Sequence, residues 1–202
     1  MNSERNPKVQ QLFKAVTDLI EEGMDVHTMK VIDITNKAGI GKGTAYEYFK
    51  SKEELVSAAI AADMKDQFDL LKNMLAEEKI FEGKIIAVFH WMDQNMKRRR
   101  SAPQFFKCLG QSYEVAEGIR REFQQSSDDN ICFFRGLLDD ICRQGKTEGC
   151  IREGLTGDQI SVTLVSIFVA YFLYLNGKEE EESVAADQMQ VFLYQNLKKC
   201  LE

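Results

Sequence analysis

Apolar residues recur three or four positions apart along most of this chain of 202 residues, and this helical spacing constrains the fold more than any other feature. The first apolar stripe lies near the N-terminus and comprises Val9, Leu12, Phe13, Val16, Leu19 and Ile20. It predicts an amphipathic helix that ends at Gly23. Both prolines, Pro7 and Pro103, stand where a helix can begin, and no segment alternates convincingly as a strand does. We therefore predict an all-α protein of about nine helices.

The composition limits the classes of protein to which the chain can belong. Its 44% hydrophobic and 29% charged residues are typical of a folded globular protein. The net charge of −6 excludes a protein that coats nucleic acid by bulk positive charge, so any such binding must be local. The 5 cysteines, an odd number without a Cys-x-x-Cys pair, predict reduced thiols and a cytoplasmic location. The longest apolar run, Val162–Leu175, has 14 residues, fewer than the ~18 to 20 of a membrane span, so we expect none.

Two short helices are predicted after the first one. The segment Lys30–Ala38 ends at Gly39, a residue that tolerates the left-handed backbone of a tight turn. The next segment, Lys42–Phe49, is about two turns long and directs Ala45 and Phe49 inward. Two short helices joined at a glycine form a helix-turn-helix, which lays its second helix in the major groove of DNA.

A long fourth helix is predicted to begin at Ser51. Ser51 and Glu54 have the spacing of a capping box, in which each side chain bonds the backbone amide of the other residue. The apolar period then continues for about six turns, enough to connect a small N-terminal unit to a larger body. We therefore predict a DNA-binding domain at residues 1–51 and a larger helical domain at residues 52–202.

The outward face of the third helix can be computed from the inward positions. At 100° per residue, Gly43 and Glu47 point most directly outward. The flanking residues are Lys42, Thr44, Tyr46 and Tyr48. Residues 26–52 carry five lysines against Asp33 and Glu47, a net charge of +3 within an acidic chain. Small, hydroxyl and amine groups on a locally positive face favour contact with bases and phosphates.

The stretch Val31–Leu55, VIDITNKAGIGKGTAYEYFKSKEEL, resembles the helix-turn-helix of TetR/AcrR-family transcriptional regulators. The resemblance implies that bases and DNA backbone are read by Lys42, Gly43 and Thr44. It implies phosphate contacts from Tyr46, Tyr48 and Lys52. It also implies a variable C-terminal domain that binds an effector and forms a dimer.

Three positions depart from the family's pattern. Gly41 stands where a capping Ser or Thr is usual, which costs only a few tenths of a kcal/mol. Thr35 replaces a small alanine, so that either the helix packing adjusts or the Thr35 hydroxyl bonds back to the preceding turn. Glu47 accepts from a cytosine amino group, pairs with Lys50, or is solvated, and we favour the last two together.

The C-terminal part is predicted to hold the effector site. Further helices are predicted at Lys84–Lys97, Pro103–Ser112, Gly118–Gln144, Asp158–Leu175 and Val184–Leu201. The candidate pocket residues are Phe89, His90, Trp91, Met92, Phe106 and Tyr171. The alternative is that these aromatic and Met side chains simply pack in the core, as such stripes usually do.

A dimer interface is predicted on the last two helices. The run Val162–Leu175 is apolar nearly all round, and such a helix needs cover on both sides. Paired with the final helix, it forms half of an intermolecular four-helix bundle, with the interface at Leu164, Phe168, Tyr171 and Phe192. A two-fold dimer places its two reading helices one DNA turn, ~34 Å, or a multiple apart, so the operator should be a near-palindrome.

These features together predict a dimeric, sequence-specific DNA-binding regulator, most simply a repressor released by a small hydrophobic effector. An all-helical enzyme is the first alternative, but no catalytic set and no phosphate-cradling loop occurs in the sequence. With only two histidines, His27 and His90, in different predicted domains, no metal site is expected, and no cofactor is implied. The second alternative is a module that uses the short helices to bind a protein partner.

Overall fold

The computed structural model describes residues 6–97, 117–119, 121–122, 129–176 and 183–202, with side chains described except at residues 97, 129–135 and 183–185. Within these ranges all regular secondary structure is helical, which confirms the predicted all-α class. The helices are α1 (Pro7–Glu21), α2 (Val31–Ala38), α3 (Lys42–Tyr48), α4 (Lys52–Glu77), α5 (Phe81–Lys97), α6 (Asp129–Thr147), α7 (Gly157–Asn176) and α8 (Ser183–Leu201). Residues 117–119 and 121–122 are helical as well, whereas the helix predicted at Pro103–Ser112 lies outside the described residues.

The described residues form two compact units. The first unit holds residues 6–68 and the described part of 98–130, and the second holds 69–97 and the described part of 131–202. The helix α4 therefore begins in the first unit and ends in the second. The functional boundary predicted at residue 51 concerns DNA binding rather than packing, and it stays a prediction.

The first unit is organised around α1. Asn6 caps this helix, because its side-chain oxygen accepts a hydrogen bond from the Lys8 amide at 3.0 Å, and Pro7 takes the first helical position. The predicted apolar stripe is buried, apart from the half-buried Phe13, and α1 packs against α2, which in turn contacts α3. The chain leaves α1 through Gly23, whose positive φ of 90° explains why the helix ends there.

The second unit packs α5, α7 and α8 against one another. Its largest buried side chains include Phe81, Ile85, Phe89 and Tyr171. Both carboxylate oxygens of Glu148 accept from the Phe81 amide, at 2.9 and 3.0 Å, and so cap the start of α5. The buried apolar side chains and the hydrogen bonds that cap its N-terminus together fix α5 in the core.

Charged and polar groups are also buried in the second unit, where Lys84 and Asp93 both have hydrogen-bond partners. The Lys84 ammonium, in a residue only 5% exposed, donates to the Leu75 carbonyl at 2.6 Å and to Asp140 at 2.8 Å. Asp93 accepts from the Tyr171 hydroxyl and from the Gln190 amide, each at 2.7 Å. Such bonds offset the cost of removing these groups from water.

The helix α7 is apolar on its outer side as well as on its inner side. Its exposed apolar residues are Val162, Val165, Val169 and Leu173. The expectation that no segment spans a membrane stays a prediction. By length and composition this helix is apolar enough to cross one, as core helices of soluble proteins also are. The reason is that the polar residues within it are uncharged, apart from Asp158 near its start. Helices that form interfaces in soluble proteins also expose apolar side chains on the outer side of a single chain.

Candidate nucleic-acid interface

The two short helices meet at the turn that the glycines predict. Gly39 follows α2 with φ 66° and ψ 29°, the left-handed conformation. The Gly39 amide donates to the Asn36 carbonyl at 3.2 Å, and the Ile40 amide donates to the Thr35 carbonyl at 3.0 Å. Gly41 then starts α3 in an extended conformation, with no side-chain cap. The predicted helix-turn-helix is thus confirmed, including the position of its turn.

The start of α2 uses a cap that the sequence analysis did not single out. The Asp33 carboxylate accepts a hydrogen bond from the Lys30 amide at 2.9 Å. Asp33 stands in the first turn, where its negative charge also complements the helix dipole. The signal in the sequence was an acidic residue three positions after the residue that precedes the helix.

The third helix is held by its inner side, as predicted. Ala45 and Phe49 are buried, and the Phe49 ring lies 5.8 Å from that of Phe13 on α1. On the outer side, Lys42, Gly43, Tyr46 and Glu47 are exposed, whereas Thr44 and Tyr48 are half-buried. The candidate residues of α3 therefore share one accessible face, bounded by the two half-buried side chains.

Gly43 has no structural reason to be a glycine. Its φ is not positive, and no other part of the described chain lies within 4 Å of the place a Cβ would take. A glycine inside a helix costs about 1 kcal/mol relative to alanine. Because no internal contact within the described residues repays this cost, the position favours a ligand whose backbone or base edges approach α3 closely.

The two aromatic residues of the face differ in their partners. The Lys42 ammonium lies 5.9 Å from the centroid of the exposed Tyr46 ring, at the distance of a cation–π contact. The Tyr48 hydroxyl accepts a hydrogen bond from the Asn6 side-chain amide at 3.2 Å. This leaves the Tyr48 proton available for an acceptor such as a phosphate oxygen. Asn6, missed in the sequence, thus links the cap of α1 to α3.

Lys52, predicted to hold a phosphate, turns its ammonium into the domain. Its Nζ lies 3.3 Å from the carbonyl oxygens of both Val26 and His27, and 3.4 Å from Glu53 Oε1. The Lys52 side chain is only 19% exposed. A phosphate contact would require the ammonium to leave these three acceptors.

The capping box at the start of α4 forms only in part. The Ser51 hydroxyl accepts from the Glu54 amide at 3.1 Å, as predicted. The Glu54 carboxylate, however, accepts from the Lys50 amide at 2.5 Å rather than from the Ser51 amide. The Lys50 amide lies beyond α3, whose last residue is followed by the extended Phe49, so it has no helical acceptor of its own.

The other departures from the family pattern are resolved locally. The buried Thr35 hydroxyl donates to the Ile32 carbonyl at 3.2 Å, which is the bond to the preceding turn that the sequence allowed. Glu47 is exposed and makes no ion pair with Lys50 within the described residues, so solvation is the alternative that the structure favours. Elsewhere on α2, Lys37 pairs with Glu22, and its hydrogen bond to this carboxylate raises the pKa of the Lys37 amine.

The predicted effector residues do not all lie together. Phe89 and Tyr171 are buried side by side with ring centroids 4.8 Å apart. Trp91 and Met92 are buried as well. His90 is exposed and hydrogen-bonded to Gln94 at 2.7 Å, so it faces solvent rather than the core. Phe106 lies outside the described residues.

The predicted dimer residues are divided between core and surface. Leu164 and Tyr171 are completely buried within the chain, Phe168 is half-buried, and Phe192 is 56% exposed. Since a completely buried side chain offers no area to a partner, Leu164 and Tyr171 are core residues in this structure. The sequence did not reveal this because α7 is apolar on both sides.

Comparisons with known proteins agree with this geometry. Residues 13–59 match the model of the family described as bacterial regulatory proteins, tetR family. A fatty acid metabolism regulator protein of Bacillus subtilis (strain 168) is 24% identical over 159 residues, which cover 75% of each chain. The HTH-type transcriptional regulator SAR0097 of Staphylococcus aureus (strain MRSA252) is 35% identical over 68 residues, 34% of this chain and 36% of that one.

A solved structure extends the likeness beyond the helix-turn-helix. The transcriptional regulator FadR from Bacillus subtilis, in complex with stearoyl-CoA, has a TM-score of 0.62 to this chain at 19% identity, covering 96% of this chain and 97% of that one. The two proteins therefore share a fold. The residues that match the family model begin in α1 and end in α4, so they contain the whole helix-turn-helix. Residues 13–59 of the chain thus carry the helix-turn-helix of the TetR family of bacterial regulatory proteins.

Proposed function

We propose that this protein is a cytoplasmic repressor that binds a near-palindromic operator as a homodimer and leaves it when a small hydrophobic effector binds. The observation that carries the proposal is the accessible face of α3, where Gly43 is open and Lys42 and Tyr46 are exposed. A locally positive face with an exposed backbone suits a duplex better than it suits an apolar protein partner.

Each residue of α3 takes a distinct role in this proposal. Gly43 allows the helix backbone to approach the base edges. Thr44 offers a hydroxyl to a base and a methyl group to thymine, and Lys42 donates to base or phosphate oxygens. Tyr46 and Tyr48 donate their hydroxyl protons to phosphates, which carry most of the affinity but no sequence information.

The experiment is an operator-binding titration. DNA from upstream of the protein's own gene is bound against nonspecific competitor, and the dissociation constant is measured at several salt concentrations. We expect Lys42→Ala to weaken binding to all sequences and to lower the salt slope by about 1.8, since a dimer loses two phosphate-neutralising charges. Thr44→Ala should instead relax the preference at one base pair, by about 1–3 kcal/mol.

A matched lysine controls for a general loss of charge. Lys65 is an exposed lysine on α4 in the same unit, where it lines a hollow with Gln10 and Lys14 of α1. Lys65→Ala should leave the salt slope within about 0.3 of the wild type. Equal slopes for Lys42→Ala and Lys65→Ala, together with unchanged base preference in Thr44→Ala, would reject these roles for α3.

Dimerisation is proposed through the outer faces of α7 and α8. Their exposed apolar side chains are Val162, Val165, Val169, Leu173, Val191 and Phe192. The two helices pack against each other, so a second copy presenting the same face completes a four-helix bundle. Such an arrangement covers apolar surface that a single chain leaves in water.

The effector is proposed to bind in the C-terminal domain, residues 52–202, and to be apolar. The support comes from the buried aromatic residues around Phe89 and Tyr171 and from the similar regulator that was solved with stearoyl-CoA. An effector that prefers the DNA-incompetent arrangement weakens operator binding, and the operator weakens effector binding by the same factor. Stearoyl-CoA added during the DNA titration should weaken operator binding, and unchanged operator affinity in its presence would contradict this choice of effector.

The two rival functions give different results in the same assay. A protein-interaction module would bind operator and competitor DNA equally weakly. An enzyme would show no DNA binding that depends on Thr44. The known relatives are regulators, and the proposal assigns no catalytic residue.

A further inference from the structure

A very close contact joins two segments of the first unit. Residues 117–119 are helical, and Gly118 lies against Ser57 of α4. A Cβ at Gly118 would fall 2.2 Å from Ser57 Oγ and 2.7 Å from Ser57 Cβ, distances at which one of the two segments must move. Ser57 is 1% exposed and the neighbouring Ile119 is buried, while Gly118 itself is half-buried. Only a glycine allows this approach.

The contact is connected to the helix-turn-helix by a short series of bonds. The Ser57 hydroxyl donates to the Glu53 carbonyl at 2.6 Å. The Glu53 carboxylate lies 3.4 Å from the Lys52 ammonium, which bonds the carbonyls of Val26 and His27 in the loop before α2. The first turns of α4 therefore connect Gly118 to the loop from which the helix-turn-helix starts.

The position of Gly118 along the chain relates its contact with Ser57 to the second unit. The second unit supplies α5 before it and the described part of α6 after residue 130, so the segment around Gly118 belongs to the first unit but is continuous with the second. The chain therefore enters the segment around Gly118 from the second unit and returns to the second unit after it.

We propose that the contact between Gly118 and Ser57 sets the position of α4, and that Lys52 transmits this position to the helix-turn-helix. In this proposal Lys52 is a positioning residue rather than a phosphate ligand. Displacement of the Gly118 segment by as little as a methyl group shifts α4 and lowers operator affinity. The inference rests on the proposed function, since it assigns the device that couples the two parts of the regulator.

The first experiment exchanges the sizes of the two contacting residues. We expect Gly118→Ala to weaken operator binding at least about 5-fold, the lower end of ordinary coupling between sites. The double variant Gly118→Ala with Ser57→Gly should recover affinity to within about 2-fold, because the nearest remaining atom to the new Cβ is then the Glu53 carbonyl oxygen at 4.0 Å. Helix propensity alone predicts the opposite pattern, since alanine favours and glycine disfavours the helix.

A second glycine supplies the matched control. Gly136 lies on α6, and no other part of the described chain is within 4 Å of the place its Cβ would take. Gly136→Ala should leave operator affinity unchanged. Equal affinity of Gly118→Ala and wild type, or failure of the folded double variant to recover, would overturn the proposal.

The role of Lys52 is tested by the salt dependence. Lys52→Met should lower operator affinity without changing the salt slope, because a positioning residue neutralises no phosphate. A slope lowered by about 1.8 in the dimer would identify a phosphate contact and overturn the positioning role.

Hydrogen exchange separates this inference from the proposed function. Amides of residues 30–48 should exchange faster in Gly118→Ala than in wild type and return to the wild-type rate in the double variant, without any DNA present. If wild type binds no operator but exchange follows this pattern, the proposed function fails and the coupling stands. Unchanged exchange in Gly118→Ala overturns the coupling whatever the DNA result.

Discussion

Replacing Tyr171 by phenylalanine removes a single hydroxyl from a buried group of three polar side chains. The Tyr171 hydroxyl donates to Asp93 Oδ1 at 2.7 Å and accepts from Gln190 Nε2 at 2.7 Å. Burial raises the pKa of Tyr171 above its ordinary value of 10, so the hydroxyl keeps its proton and stays a donor. Gln190 also donates to Asp93 Oδ2 at 2.7 Å, and that bond survives the substitution.

The loss in the free energy of unfolding can be estimated from the contacts that remain after the Tyr171 hydroxyl is removed. The phenylalanine ring still packs against Phe89, whose centroid is 4.8 Å away, so no large cavity forms. Asp93 is 7% exposed, and its Oδ1 loses the Tyr171 donor. Hydrogen bonds to charged groups contribute about 1.5–3 kcal/mol, and an unmet buried acceptor adds to the loss. We therefore expect Tyr171→Phe to lower the free energy of unfolding by about 2–3 kcal/mol, or Tm by roughly 4–12 °C.

Thermal and urea unfolding at pH 7 and one fixed protein concentration measure this change. Tyr46→Phe is the matched control, because Tyr46 is 48% exposed. The control should change stability by less than about 0.5 kcal/mol. A Tyr171→Phe protein as stable as the control would refute the view that Asp93 depends on this hydroxyl.

Three further substitutions test other parts of the structure. The Lys84 ammonium lowers the pKa of Asp140 below its ordinary 3.8, so the pair stabilises the fold above that pH and loses its effect as pH falls through the lowered pKa. Asp140→Asn should thus cost about 1–2 kcal/mol at pH 7, which is less than for a fully buried pair because Asp140 is 36% exposed. Urea unfolding at a series of pH values should show this cost shrinking as the pH falls below the ordinary 3.8. Gly39→Ala should cost about 1–2 kcal/mol in thermal unfolding, because alanine is strained at φ 66° even in open space. Leu173→Glu, at a residue 62% exposed, should yield monomers by sedimentation at micromolar concentration; an intact dimer would exclude this face as the interface.

Local features of the first unit could be predicted because they depend on residues close in the chain. The helix-turn-helix was determined by the left-handed turn at Gly39 and by the inward pair Ala45 and Phe49. Helix bounds along the chain followed from spacing in the same way, as at α7 and α8. Periodicity acts over three or four residues, so it needs no knowledge of distant neighbours.

Partners far apart in the chain were decided only by the tertiary structure. The family resemblance implied a phosphate contact for Lys52, but packing turns its amine toward Val26 and His27. Leu164 was expected at an interface, yet it is buried within the chain because an all-apolar helix does not mark its inner face. The approach of Gly118 to Ser57 joins residues 61 positions apart, and no local pattern signals it. Spacing along one helix thus determined which residues share a face, whereas the packing of several helices decided what each face meets.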